Sequence, residues 1–162
     1  MRRVIKKIIS VLIILAVIAG FSGCMFSEDF FDETTAAAAT EYADLYDIDE
    51  DGAYSSKDDV ALYLYVYGHL PSNYLTKKQA KALGWESGNL DPYLYGACIG
   101  GDHFGNYEGY LPEAPGRDFY ECDIDTMHRE DRGSKRIVYS DDGLIYYTED
   151  HYNSFELLYG EP

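Results

Sequence analysis

Apolar and polar residues change rhythm along this chain. An unbroken apolar run covers Ile8 to Ala19, residues 25–57 hold no sustained period, and from Ser56 onward apolar positions recur first at helical and then at strand spacing. Ser56-Lys57-Asp58-Asp59 is a capping-box-like start, and Val60, Tyr63, Leu64 and Tyr67 follow at helical spacing. A helix with one apolar stripe is expected there, ended by Gly68 and Pro71. Thr76-Lys77-Lys78-Gln79 caps a second helix whose Ala80 and Leu83 face inward before Gly84 stops it. From Cys98 the pattern alternates. Strands are expected over Cys98 to His103, Asp118 to Ile124, Ser134 to Ser140, Leu144 to Asp150 and Phe155 to Leu158, with Asp142-Gly143 as a tight hairpin turn. Helices followed by about five antiparallel strands make an α+β fold, in one domain long enough to bury a core. There is no internal repeat.

The first apolar run belongs to a different kind of segment. Arg2, Arg3, Lys6 and Lys7 form a basic head and Phe21-Ser22-Gly23-Cys24 a cleavage-like end, so residues 1–24 read as an export signal. The run is shorter than the roughly 20 residues a spanning helix needs. Small residues before Cys24 resemble a bacterial lipoprotein processing box, in which that cysteine becomes a lipidated first residue and membrane anchor; a plain secreted or signal-anchored protein is the alternative. Either way the expected location is extracellular or at the cell surface. Residues 25–57 are rich in Ala, Thr, Ser, Asp and Glu, with alanines from Ala36 to Ala39 and room for a short helix around Ala36 to Tyr46. They read as a flexible acidic tether, and 58–162 as the folded domain.

Charge argues against a partner that is itself a polyanion. Removing residues 1–24 takes away four of thirteen basic residues and no acids, leaving nine against twenty-nine. Ten of the acids lie between Glu28 and Asp51, yet 58–162 still holds nineteen acids and eight bases. Proteins that act on nucleic acid commonly capture it with a basic surface. A local positive site on a negative body, with weak non-specific binding of any polyanion, is the expectation.

The candidate chemistry gathers in the glycine-dense stretch Cys98 to Pro112 and in Glu121, Arg132, Arg136 and the pair Asp150-His151. Glycines let backbone N–H groups approach a flat polar ligand, while the later residues supply a base, an acid and two fixed cations. These are the parts of a metal-free phosphodiester-cleaving site. The cysteine spacing fits no zinc pattern, and neither metal nor cofactor is expected.

At these residues the chain resembles the guanyl-preferring bacterial ribonucleases of the barnase family, from about Asp58 to Leu158. The resemblance is carried by Leu70 to Lys77, Ala82 to Trp85, Gly88 to Leu90, Ile99 to Asp102, Glu108-Gly109, Leu111-Pro112, Leu144 to Tyr146 and Asp150 to Tyr152. It implies Glu121 as general base toward the ribose 2′-OH and His151 as general acid toward the leaving 5′ oxygen, giving a 2′,3′-cyclic phosphate that the two then hydrolyse with roles exchanged. It implies Lys77, Arg132 and Arg136 as phosphate-binding cations, with Arg129 competing for the Arg132 assignment. Lys77 adds a signal of its own, because a cation in a first helical turn opposes the helix dipole by a few tenths of a kcal/mol.

For the base, the resemblance implies a guanine-binding loop of Phe104, Gly105, Asn106, Tyr107 and Glu108, with Glu108 accepting from the guanine edge and Phe104 and Tyr152 stacking. Asp102 and Asp123 take orienting roles, and Arg117 and Asp142 a structural ion pair. Tyr107 stands where the family carries an arginine, and Gly143 where it carries a core-side tryptophan. Cys98 and Cys122 fall in strands that neighbour each other in the related fold, where a disulfide and two small buried thiols are equal alternatives. RNA is the implied substrate, a small acidic barstar-type inhibitor the implied intracellular partner, and a monomer the default. A non-catalytic, lipid-anchored domain binding a nucleotide or protein is the competing reading. The complete set of Lys77, Glu121, Arg132, Arg136 and His151 weighs against it.

Overall fold

In a computed structural model of the chain, residues 48–162 are described. The export signal, Cys24 and the helix expected near Ala36 to Tyr46 lie outside them. Helix α1 spans Lys57–Tyr67 and α2 spans Lys77–Ala82. The strands are β1 (Tyr74–Leu75), β2 (Cys98–Phe104), β3 (Phe119–Asp123), β4 (Arg136–Ser140), β5 (Ile145–Thr148) and β6 (Glu156–Tyr159). They form one sheet in the order β1-β2-β3-β4-β5-β6, parallel at β1/β2 and antiparallel elsewhere. The expected α+β architecture is present with one strand more, a two-residue β1 too short to leave a periodic trace.

Both helices begin and end where their punctuation dictates. The Ser56 hydroxyl accepts from the Asp59 N–H, Asp58 and Asp59 complement the positive end of the α1 dipole, and Gly68 closes the helix in the left-handed region at φ 73°. Thr76 and Gln79 form a complete capping box on α2. The folded body begins earlier than the sequence boundary at 58. Ile48 is buried, the Tyr63 and Tyr67 hydroxyls donate to the carbonyls of Glu50 and Ile48, and the Asp125 N–H donates to the Ser55 carbonyl at 2.7 Å. Residues 48–57, assigned to the acidic tether from composition alone, therefore pack as part of the domain.

Strand alternation divides the sheet into two faces. Cys122, Ile137, Ile145 and Tyr147 point toward α1 and build a core with Val60, Ala61 and Leu64. Phe119, Val138 and Tyr146 line the opposite face with Leu111 and Leu144. Glu121, Asp123, Arg136 and Thr148 share that second face, and the register places Asp123, Arg136 and Thr148 in one row across three strands. The β4–β5 hairpin is a three-residue loop, Asp141 to Gly143, with Gly143 at φ 96° and the Ser140 N–H donating to the Leu144 carbonyl at 2.9 Å.

Gly100 rather than Cys98 lies opposite Cys122. The two cysteines are thus diagonal neighbours, a spacing of roughly 7–8 Å between Cα atoms that is long for a disulfide. Both are free buried thiols, so the second of the two alternatives is the one seen.

Candidate active site

A bulge in β2 decides which acids share the site. Gly100 pairs with Cys122 and Asp102 with Glu121, so two residues of β2 are spent against one step of β3, and the extra residue, Gly101, takes φ 87°. Without the bulge Asp102 would stay on the face of Gly100, toward α1. With it, Asp102 stands directly across from Glu121. Two carboxylates at opposed positions repel, and Lys77 answers both: its backbone N–H donates to Asp102 Oδ2 at 2.8 Å and its ammonium lies 2.5 Å from Glu121 Oε1. Asp102 thereby fixes the start of α2, and that fixes where the Lys77 side chain reaches.

Glu121 is held from both ends. Its Oε1 takes Lys77, and its Oε2 accepts from the Tyr152 hydroxyl. Burial pushes this carboxyl upward, but the hydrogen bonds from Lys77 and Tyr152 and the charges of Lys77 and Arg136 outweigh it, so it sits below the ordinary glutamate value. It is ionised at neutral pH, as a proton acceptor must be. For Tyr152, burial and then the contact with the Glu121 carboxylate push the phenol well up, which keeps it a donor.

Asp123 organises the cations. It is 1% exposed and lies between both arginines: Arg132 Nε and Nη2 donate to its two oxygens at 2.6 and 2.9 Å, and Arg136 Nε lies 2.9 Å from Oδ1. The Arg136 Nε–H points off that line and makes no hydrogen bond, while Nη1 donates to the carbonyls of Lys135 and Arg132 at 2.7 and 3.1 Å. The fork of Arg132 on Asp123 raises its guanidinium further above its already high value. Arg129, the competitor to Arg132 in the family assignment, has no carboxylate partner and is exposed, whereas Arg132 is fixed on Asp123. Trp85 lies beneath Arg132, ring centre to guanidinium 5.7 Å.

His151 and Tyr152 come from a tight loop at the end of β5. Asp150 is its pivot, accepting from the Thr148 hydroxyl, the N–H groups of Asn153 and Ser154, and the Ser154 hydroxyl. His151 and Tyr152 both adopt the left-handed region, at φ 57° and 73°, and Thr148 Oγ1 accepts the Tyr152 N–H at 2.9 Å. The phenol of Tyr152 is thereby directed inward to Glu121 while the His151 imidazole stays exposed beside it, ring centres 4.7 Å apart. The other imidazoles are engaged elsewhere, His69 with Glu50, His103 with Asp118 and His128 with Asp91.

The loop after β2 divides its labour. Asn106, at φ 43°, is buried and uses its whole side chain on Leu111, donating to the carbonyl and accepting the N–H, each at 3.0 Å. That makes it a brace and not, through its side chain, a contact for a ligand. Tyr107 is 93% exposed with its ring lying over Gly105, and the Glu108 carboxylate is exposed and without an ion pair. Phe104 stacks on Tyr152, ring centres 5.2 Å apart. Arg117 Nε donates to both oxygens of Asp142 and its Nη1 to the Pro112 carbonyl, tying this loop to the β4–β5 hairpin. The Glu121–Tyr152 contact and the Trp85–Arg132 stack had no periodic or motif signal in the chain. Among the described residues no group of three or more acid, His or Cys side chains is placed to hold a metal.

A carboxylate held by a lysine and a tyrosine, an exposed imidazole beside that tyrosine and two guanidiniums fixed by one buried aspartate are a set of groups suited to a nuclease, on an α+β scaffold. A family model described as ribonuclease matches residues 57–159. A ribonuclease of Bacillus pumilus is 42% identical over 158 residues, covering 93% of this chain and 97% of that protein. A ribonuclease of Heyndrickxia coagulans is 52% identical over 100 residues, 60% of this chain and 91% of that one. Guanyl-specific ribonuclease St of Saccharopolyspora erythraea is 42% identical over 72 residues, 44% of this chain and 67% of its own. The chain belongs to the ribonuclease family, and it is an endoribonuclease.

Proposed function

We propose that this enzyme cleaves single-stranded RNA 3′ of guanosine by transesterification to a 2′,3′-cyclic phosphate, followed by hydrolysis. The observation that carries the reading is the convergence of Lys77, Tyr152 and Arg136 on Glu121. The carboxylate is ionised and held in place, with cations next to it where charge would build on phosphorus. Glu121 takes the 2′-OH proton as the oxygen attacks phosphorus. Arg132, Arg136 and Lys77 stabilise the added charge, and His151 returns a proton to the departing 5′ oxygen. Guanine preference rests on the exposed, unpaired Glu108 and on the backbone N–H groups of Gly105 and Tyr107. The carboxylate suits the N1–H and exocyclic amine of guanine, and the N–H groups suit its O6.

Export, with Cys24 as a lipid anchor, is the accompanying proposal for location, and it rests on residues 1–24 alone. The test is incubation of the protein at low salt in EDTA with a short RNA holding one guanosine. Cleavage at that guanosine through a cyclic phosphate, lost in Glu121→Ala and His151→Ala, is the expected result. Cleavage at every base, or unimpaired cleavage by either variant, would overturn the assignment concerned.

A further inference from the structure

Residues 83–96, which join α2 to β2, carry a run of large side chains that the fold leaves outside. Leu83, expected to face inward with Ala80, is instead 50% exposed, and Tyr93 is 41%, Leu94 47% and Tyr95 80% exposed. Tyr95 is nonetheless held in place. One face of its ring packs on His128, centres 4.4 Å apart at 31°, and His128 Nδ1 is held 2.9 Å from Asp91 Oδ2, while Asp91 Oδ1 accepts the Gly96 N–H at 2.8 Å. The other face of Tyr95 is presented to solvent by a support already ordered, which lowers the entropy cost of stacking on it.

The cations around this segment are the second observation. Nine Lys and Arg lie in the described residues, and six of them are ion-paired. The remaining three are exposed: Lys78 and Lys81 on the helix that leads into this segment, and Arg129 next to the His128 that supports Tyr95. The Tyr93 ring packs near Gly84, at the end of that helix. Over 58–162 acids outnumber bases nineteen to eight, whereas in and next to this segment the three cations are matched in number by Glu86, Glu130 and Asp131, with Asp91 taken by His128. For a polyanion this is a weakly repelling path across an otherwise repelling surface. The path also reaches the catalytic face, because Trp85 of the same segment lies under Arg132.

We propose that this strip is a second binding site for the substrate, in which bases of single-stranded RNA outside the scissile step stack on Tyr95 and Tyr93 and their phosphates meet Arg129, Lys78 and Lys81. The inference deepens the ribonuclease reading and rests on it. Stacking supplies most of the affinity, since the local charge is balanced.

The test compares the full chain with Tyr95→Ser, Tyr95→Trp and Arg129→Ser on two substrates, the dinucleotide GpU and a dodecamer RNA with one central guanosine. Tyr95→Ser is expected to lower kcat/KM on the dodecamer by roughly 5- to 100-fold, to leave GpU unchanged, and to be rescued by Tyr95→Trp. Arg129→Ser is expected to reduce the slope of log kcat/KM against log salt by about 0.7 on the dodecamer only. Equal loss on both substrates, or none on the dodecamer, overturns the strip while GpU cleavage leaves the ribonuclease reading standing. If the parent cleaves neither substrate, that reading fails, and the strip is judged by fluorescence titration with the 2′-deoxy dodecamer. Weaker binding by Tyr95→Ser then supports it, and unchanged or undetectable binding by the parent overturns it.

Discussion

Asp123→Asn should do more damage than any other isosteric change in the site. The carboxylate is 1% exposed and neutralises two guanidiniums, one of which, Arg136, is itself 3% exposed. The amide keeps the shape but loses the charge, and it must turn an NH2 toward donors that face both of its positions. Breaking a buried pair by removing one partner costs about 3–5 kcal/mol, because the surviving charge is left uncompensated. With an unfolding entropy of about 2.1 cal/mol/K per residue over a domain of this size, that corresponds to a fall in Tm of roughly 12–20 °C. Thermal unfolding followed by circular dichroism measures it. A cycle with Arg132→Gln isolates the cause: if Asp123 serves to neutralise the arginines, the double variant loses clearly less than the sum of the single losses. A cost under about 1 kcal/mol, or strict additivity, would refute the assignment of Asp123 as their common anchor.

Lys77→Met removes the strongest tie on Glu121 and leaves burial pushing its carboxyl upward; activity needs the ionised carboxylate, so the acid limb of kcat/KM should move to higher pH, and its plateau should fall by about 10²–10³-fold as a phosphate-facing cation is lost. An unmoved limb in a pH–rate profile would contradict the coupling. Tyr152→Phe deletes a donor to the same carboxylate and should shift the acid limb in the same direction while costing about 1.5–3 kcal/mol in denaturant unfolding. Gly100→Ala places a Cβ 2.5 Å from Cys122 Cβ and 2.6 Å from Tyr74 Cδ1, both buried, so a loss of about 1–3 kcal/mol is expected. Gly105→Ala meets only the exposed Tyr107 ring, which can swing away, and should stay within about 0.5 kcal/mol of the parent by the same measurement.

Those elements whose signals are local were legible in the chain. Ser56, Gly68, Thr76 and Gln79 act through hydrogen bonds within a turn of their own positions, and the hairpin at Asp142-Gly143 needs only a residue tolerant of positive φ. The faces of β3 to β5 follow from strict alternation. What escaped notice depends on chain segments far apart in sequence. The β2 bulge is written only as one glycine among several, yet it decides that Asp102 meets Glu121 and Lys77 and not the core. The split between Asn106 as a brace and Tyr107 as an exposed ring reflects loop closure onto Leu111, which composition cannot announce. Residues 48–56 looked like tether because acids dominate them; Ile48 and Tyr54 anchor them all the same.

Glu121 is satisfied within the site before any substrate arrives, and that shapes how it must work. Both oxygens of Glu121 already hold donors, and Tyr152, the donor on Oε2, is also stacked on Phe104 and next to His151. On the proposed mechanism a ribose 2′-OH would reach Glu121 by replacing the tyrosine hydroxyl, one neutral donor for another, an exchange near balance in hydrogen-bond energy. Lys77 on Oε1 keeps the carboxylate oriented and ionised while the exchange takes place. On the proposed mechanism Tyr152 would stand between the substrate and Glu121, and its stacking on Phe104 links that position to the loop expected to hold guanine. A base seated against that loop would disturb the Phe104–Tyr152 stack first, and the chemistry would follow.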